Sequence, residues 1–140
     1  MGIGLATSAT RTNYQALDDA DTYLSVGAGE FLTCGITAAK RVKCWGYLVG
    51  DGSTSSRYSP TSILDTTSEF VDLAVGSYHA CAIASDGVMK CWGDGWDGKL
   101  GNGSTAVGSS PVTADSGTAY KRVAAGRNHT CGITMSGILK

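Results

Sequence analysis

Five cysteines and two histidines are the side chains of this sequence best suited to holding a metal, acting as a nucleophile or cross-linking the chain. Their spacing decides among those uses. Cys34 and Cys44 stand ten positions apart, Cys81 and Cys91 likewise, and Cys131 has no such partner. A zinc site wants close ligand pairs such as Cys-x2-Cys with histidines at matching intervals, and neither pattern is present. Cys81 to Gly93 reads CAIASDGVMKCWG, two short apolar runs around a Ser85-Asp86-Gly87 turn. Pairing Cys81 with Cys91 across that turn also pairs Ile83 with Met89, and strand alternation keeps all four on one face. Hairpin disulfides are the expected use, and they imply an oxidising compartment. Reduced, buried thiols packing as small hydrophobes are the alternative.

His79 and His129 each stand two residues before a cysteine. A catalytic or metal role needs acidic or thiol partners at one locus, whereas equivalent repeat positions put these rings in different units. Structural hydrogen bonding is expected for both. The segments GDGST at 50–54 and GNGST at 101–105 have no following Lys, so they are turns and not phosphate loops. No Ser-His-Asp arrangement or pair of catalytic carboxylates stands out. The expectation is a non-enzyme without metal or cofactor.

These residues sit in a repeat. Anchored on Cys34, Cys81 and Cys131, an aromatic stands eleven residues earlier (Tyr23, Phe70, Tyr120) and an aliphatic eight earlier (Val26, Leu73, Val123). A glycine stands five earlier (Gly29, Gly76, Gly126), and an isoleucine two later (Ile36, Ile83, Ile133). A lysine column follows at Lys43, Lys90 and Lys140. The linkers repeat too, each leading to Pro60 or Pro111. By the same spacing Tyr14 falls in that proline column and Ile3-Gly4 opposite Leu100-Gly101. The expectation from this alignment is that the chain begins just after a Cys-Trp-Gly strand and ends just before one.

Each repeat offers several short strands: 22–26, 69–74 or 120–124 first, then a hairpin with arms at 33–37 and 42–45, then a weaker strand near Ile63 or Val112. The hairpin turn carries glycine at Gly87 and Gly137, as a three-residue loop requires. The first copy has Ala38-Ala39-Lys40 instead, so its turn must be longer, strained or held by its disulfide. Both hairpin faces are fairly apolar, so one repeat cannot cover itself. Stacking four-stranded sheets radially solves this, and a period of 47 to 50 residues fits propeller blades. The expected fold is an all-β propeller: one partial domain over 1–140, with repeats at about 2–43, 44–90 and 91–140.

Composition narrows the partners. A formal charge of −1 gives no reason to expect nucleic acid or an anionic membrane. No run of 18 apolar residues exists to cross a bilayer, and MGIGLATSAT lacks the pattern of a signal peptide.

From Val75 to Pro111 the sequence reads VGSYHACAIASDGVMKCWGDGWDGKLGNGSTAVGSSP. This motif resembles the regulator-of-chromosome-condensation repeat, and the likeness extends over nearly the whole chain. The resemblance implies a propeller of six or seven blades with four antiparallel strands each. The paired cysteines look like the variant in bacterial secreted members and crinkly-type plant receptor ectodomains, which implies an extracellular or cell-surface location. Departures exist: Leu32 replaces the family histidine in the first copy, and Tyr47-Leu48-Val49 is four residues shorter than 94–100. Three repeats do not make such a ring, so the rest would come from the same longer chain or from further copies.

The remaining candidates lie in loops. Trp45 and Trp92 follow the hairpin cysteine and are expected to pack between blades. Trp96, in the glycine-rich loop 93–98, is either a contact residue or a packing residue. Asp94, Asp97 and Asn102 lack calcium-loop spacing and read as turn formers. Asn102 and Asn128 head glycosylation sequons. The function expected is a non-catalytic binding module contacting a protein or glycan. A structural subunit of an extracellular filament is the alternative. The resemblance adds guanine-nucleotide exchange and enzyme inhibition.

Overall fold

The computed structural model describes residues 19–140, which form three successive antiparallel sheets. The first holds β1 (Tyr23–Ala28), β2 (Leu32–Thr37), β3 (Val42–Gly46) and β4 (Arg57–Ser62) in that order. The second holds β5 (Phe70–Val75), β6 (His79–Ala84), β7 (Met89–Gly93) and β8 (Gly108–Thr113), and the third pairs β9 (Tyr120–Ala125) with β10 (Thr130–Thr134). These are propeller blades. The expected alignment of Ile3-Gly4 and Tyr14 lies outside the described residues. The sheets divide the chain at 63–69 and 114–119, whereas the repeats as counted from sequence cut through β3 and β7; the period is the same and only its phase differs. The fourth strand lies earlier than expected in the first blade. Ile63, the apolar residue that marks the segment in the sequence, falls just past β4 and is buried.

The hairpin register is set by the alternation of apolar residues. Cys34 faces Cys44 and Ile36 faces Val42; in the second blade Cys81 faces Cys91 and Ile83 faces Met89. Both cysteine pairs are disulfides, with Cα atoms 4.1 and 4.0 Å apart, and Cys131 is free.

The three hairpin turns have one length. Thr37, Ala84 and Thr134 each donate their N–H to the carbonyl four residues on, at 2.8 to 2.9 Å. Gly87 and Gly137 both adopt φ of +87°, and Lys40 at the same place adopts +59°. Of the three expectations for that turn, only greater length is excluded: the Cys34–Cys44 disulfide is in place, and Lys40 holds a conformation whose Cβ meets the following carbonyl, worth about 1 kcal/mol. Lys40→Gly is therefore expected to raise stability by roughly 0.5–1 kcal/mol in urea unfolding. The exposed Lys40–Glu69 pair at 3.5 Å would be lost at little cost.

The blades pack face to face. Ala80, Ala82, Ala84 and Trp92 of the second blade join Cys34, Ile36, Val42 and Cys44 of the first in one core. The opposite face of the second blade, with Cys81, Ile83, Met89 and Cys91, meets Tyr120 of the third. Each disulfide thus lies inside an interblade core. Trp92 is fully buried and its ring lies against Gly50, where a Cβ would come within 2.7 Å of the indole. Any side chain at Gly50 would push the indole out.

The lysine column has a partner column not visible in the sequence pattern. Lys43 pairs with Asp19 at 3.0 Å, Lys90 with Asp65, and Lys140 with Asp115 at 2.9 Å. Each aspartate lies on the segment entering its blade, so each pair pins a linker to a hairpin. The aromatic column joins in: the Tyr23 hydroxyl donates to Asp19 and that of Tyr120 to Asp115. Phe70 has no hydroxyl, and there the Ser68 hydroxyl donates to Asp65 at 2.9 Å. Burial raises the Tyr120 phenol to about 12, aided by its bond to Asp115.

Candidate functional site

Of the two histidines, His79 links neighbouring blades, whereas His129 is exposed. His79 is fully buried, and its Nε2 lies 2.9 Å from the Thr130 hydroxyl. That hydroxyl donates to the Lys99 carbonyl at 2.9 Å, so it accepts from Nε2–H and fixes the Nε2-protonated tautomer. One chain of bonds thereby joins β6, β10 and the loop after β7. Gly76 makes room for the ring, since a Cβ there would meet Cε1 at 2.3 Å, and Gly126 does the same for His129 at 2.2 Å. Sequence reasoning missed Thr130, whose hydroxyl is one of several in the chain until the blades are stacked.

Burial is the main reason His79 is held down at about 4, and the nearby Lys99 ammonium adds to it. A depressed histidine contributes stability above its unfolded value near 6.5, and that stability is lost as pH falls toward 4. The melting temperature is expected to decline across that window. His79→Leu, the residue type found at Leu32, is expected to flatten the decline, read by thermal melts at pH 7, 6, 5 and 4.

The loop after β7 is braced from within. Lys99 is buried and its ammonium sits 2.6 Å from Asp94, whose other oxygen accepts from the Trp96 N–H at 3.1 Å. Burial opposes charge on Asp94, but the Lys99 bond and the Trp96 N–H outweigh it and lower its pKa. Residues Trp96–Gly98 form a single 3-10 turn, with Asp97 at φ +61°. On this turn the Trp96 side chain is 71% exposed. The shorter first-blade loop instead turns inward, burying Leu48 and Val49. Asn102 is committed to its own turn, accepting from Ser104 N–H at 3.1 Å. Asn102 and Asn128 are both exposed. Among the described residues, no group of three or more His, Cys, Asp or Glu could hold a metal ion.

Other aromatics cluster at the same end of the blades. Phe31, in the β1–β2 connection, stacks on Tyr78, in the β5–β6 connection, with ring centres 4.5 Å apart and planes within 13°. Tyr47, just past β3, meets Tyr78 edge-on at 6.5 Å. Trp45 has a different role, buried and edge-on to Tyr23.

A cavity of about 270 Å³ between the second blade and β9–β10 is lined by Cys91, Leu100, Gly101, Ala114, Tyr120 and Thr130 among others. Gly101 and Leu100 are the repeat equivalents of Gly50 and Val49, which seat Trp92 in the preceding interface. The cavity therefore lies at the place that corresponds by repeat to the Trp92 seat.

Residues 70–98 and 86–133 match family models of the regulator of chromosome condensation (RCC1) repeat. Human WBSCR16 superposes with a TM-score of 0.81 at 17% identity, over 98% of this chain and 39% of its own. Prp20p of Saccharomyces cerevisiae gives 0.72 at 22%, over 84% and 32%. The CRINKLY WD40 ectodomain of the Arabidopsis thaliana receptor kinase ACR4 gives 0.54 at 28% identity, over 86% and 36%. The chain thus spans 32 to 39% of the length of these structures. No curated protein shows significant sequence similarity to it.

Proposed function

We propose that this chain, an RCC1-like β-propeller repeat protein, is a non-catalytic module that binds a protein partner through the loops at one end of its blades. The observation that carries the reading is Trp96, a large apolar ring held 71% exposed on a loop braced by the Lys99–Asp94 pair. An exposed tryptophan on a rigid support is the type of residue that anchors interfaces. Structural relatives bind proteins: Prp20p is described with its binding properties to Gsp1p and histones, and in complex with Kap60. Fold alone does not carry function across such distances, so the loop and not the likeness names the surface.

The cysteines also bear on the proposed location. Two disulfides within the interblade cores support an extracellular or cell-surface setting, because reducing compartments keep thiols free. The same feature disfavours a nuclear nucleotide-exchange role. The test is affinity capture from extracellular material with wild type and Trp96→Ala. A specific partner is expected to be retained by wild type and weakened about thirtyfold by the substitution, the loss of one anchor. Equal retention by both would remove Trp96 from the interface and the reading with it.

A further inference from the structure

A cleft of about 250 Å³ opens at the loop end of the first blade, lined by Glu30, Phe31, Gly46, Tyr47, Ser56 and Tyr58. Phe31, Tyr47 and Tyr58 are each 41 to 49% exposed, although large rings usually turn inward. Their exposure is not looseness, because Phe31 stacks on Tyr78 and Tyr47 meets Tyr78 edge-on. The cleft therefore draws rings from three separate segments of the blade, two of them held by Tyr78.

Its charge is as informative as its apolar lining. Glu30 is exposed and, among the described residues, no basic group forms an ion pair with it. The nearest basic residue in sequence to the Ser56–Tyr58 wall is Arg57, and its guanidinium is tied to Asp51. Among the described residues, the cleft thus combines three aromatic rings with one carboxylate outside any ion pair and no lining cation. Ring faces carry the negative end of the quadrupole, so both features favour a positive charge and neither favours an anion.

We infer that this cleft receives a cationic side chain, lysine, arginine or methylated lysine, from the partner protein. The partner's ammonium or guanidinium sits among the rings of Phe31, Tyr47 and Tyr58, with Glu30 as counter-ion. The inference takes from the binding-module reading only that the occupant belongs to a protein. It concerns a different site from Trp96, so the two can fail separately.

The test uses small probes, and therefore needs no identified partner. The whole chain is titrated with N-acetyl-arginine amide, N-acetyl-lysine amide and N-acetyl-trimethyllysine amide, and with the neutral carbon isostere of the last. Tyrosine ring signals are followed by NMR. At least one cation is expected to saturate with a dissociation constant on the order of 1 mM and to bind about fivefold or more tighter than the isostere. Tyr58→Leu, which keeps an apolar side chain on an exposed edge strand, is expected to weaken it about tenfold. Glu30→Gln is expected to weaken it about threefold while leaving the fold, read from the remaining amide signals, unchanged. Equal binding of the neutral isostere would overturn the inference, and so would no saturable shift with any cation. Binding of a neutral disaccharide in place of the cations would reassign the rings to glycan stacking. Loss of partner capture in Trp96→Ala with cation binding intact would uphold both readings, and retained capture with cation binding intact would sink only the Trp96 reading.

Discussion

Asp65→Ala is expected to destabilise the protein by about 3 kcal/mol, the low end for removing one member of a buried ion pair. The Asp65 side chain is 7% exposed and accepts from Lys90, from the Ser68 hydroxyl, and from the backbone N–H groups of Thr67 and Ser68 at 3.1 and 3.0 Å. Burial works against its charge, but the Lys90 bond and the Ser68 and Thr67 donors overcome it and hold the carboxyl far below the usual range. Alanine would leave those donors and the Lys90 ammonium without their acceptor. Lys90 is itself 25% exposed and can reach water, which is why the low end of the range applies. The same change at Asp115 serves as the contrast. That pair is 41 to 48% exposed, and its loss is expected to cost far less than the loss at Asp65. The sign with pH follows from the depression. Asp65 contributes stability above its unfolded value near 3.9, and the contribution is lost as pH falls below that. It is therefore separable from the His79 effect, which acts between pH 6.5 and 4. Urea unfolding of the two variants at pH 7 checks the ranking, and equal losses would contradict it.

Trp92→Ala is expected to cost about 3–5 kcal/mol, as for other fully buried aromatics. The ring joins a core drawn from two blades, so its removal opens the interface and not just one sheet. Trp92→Phe separates volume from polarity. Among the described residues the indole N–H meets no acceptor. Phenylalanine would leave a smaller void and remove that orphan donor, whose burial costs about 1–3 kcal/mol. The loss with phenylalanine is therefore expected to be well under half that with alanine. A loss below about 1 kcal/mol for Trp92→Ala would mean the indole does not hold the blades together.

Much of the fold was legible because it repeats. The columns of glycine, isoleucine and cysteine carried both the period and the hairpin register, and Cys81 opposite Cys91 follows from alternation about Gly87. What escaped notice is what depends on stacking. The Asp19, Asp65 and Asp115 column is offset by sixteen residues from its cysteine in two copies and fifteen in the first, so fixed spacing hides it. Thr130 acquires its role only when β10 is laid against β6. The Phe31, Tyr47 and Tyr58 rings come from connections whose sequences differ between repeats, and nothing in their spacing brings them to one cleft. Trp96 was visible as a tryptophan in a glycine-rich loop, but its exposure depends on the internal bracing of that loop.

The packing of blade on blade rests on hairpin disulfides inside the interblade cores. The direct measurement is the intact mass of the protein isolated under thiol-blocking, non-reducing conditions, compared with the fully reduced chain. The expected result is a chain lighter by two hydrogen atoms for each of the Cys34–Cys44 and Cys81–Cys91 bonds, with a blocking group on Cys131 alone. Blocking groups on all five cysteines would contradict the stapled blades and the oxidising compartment together.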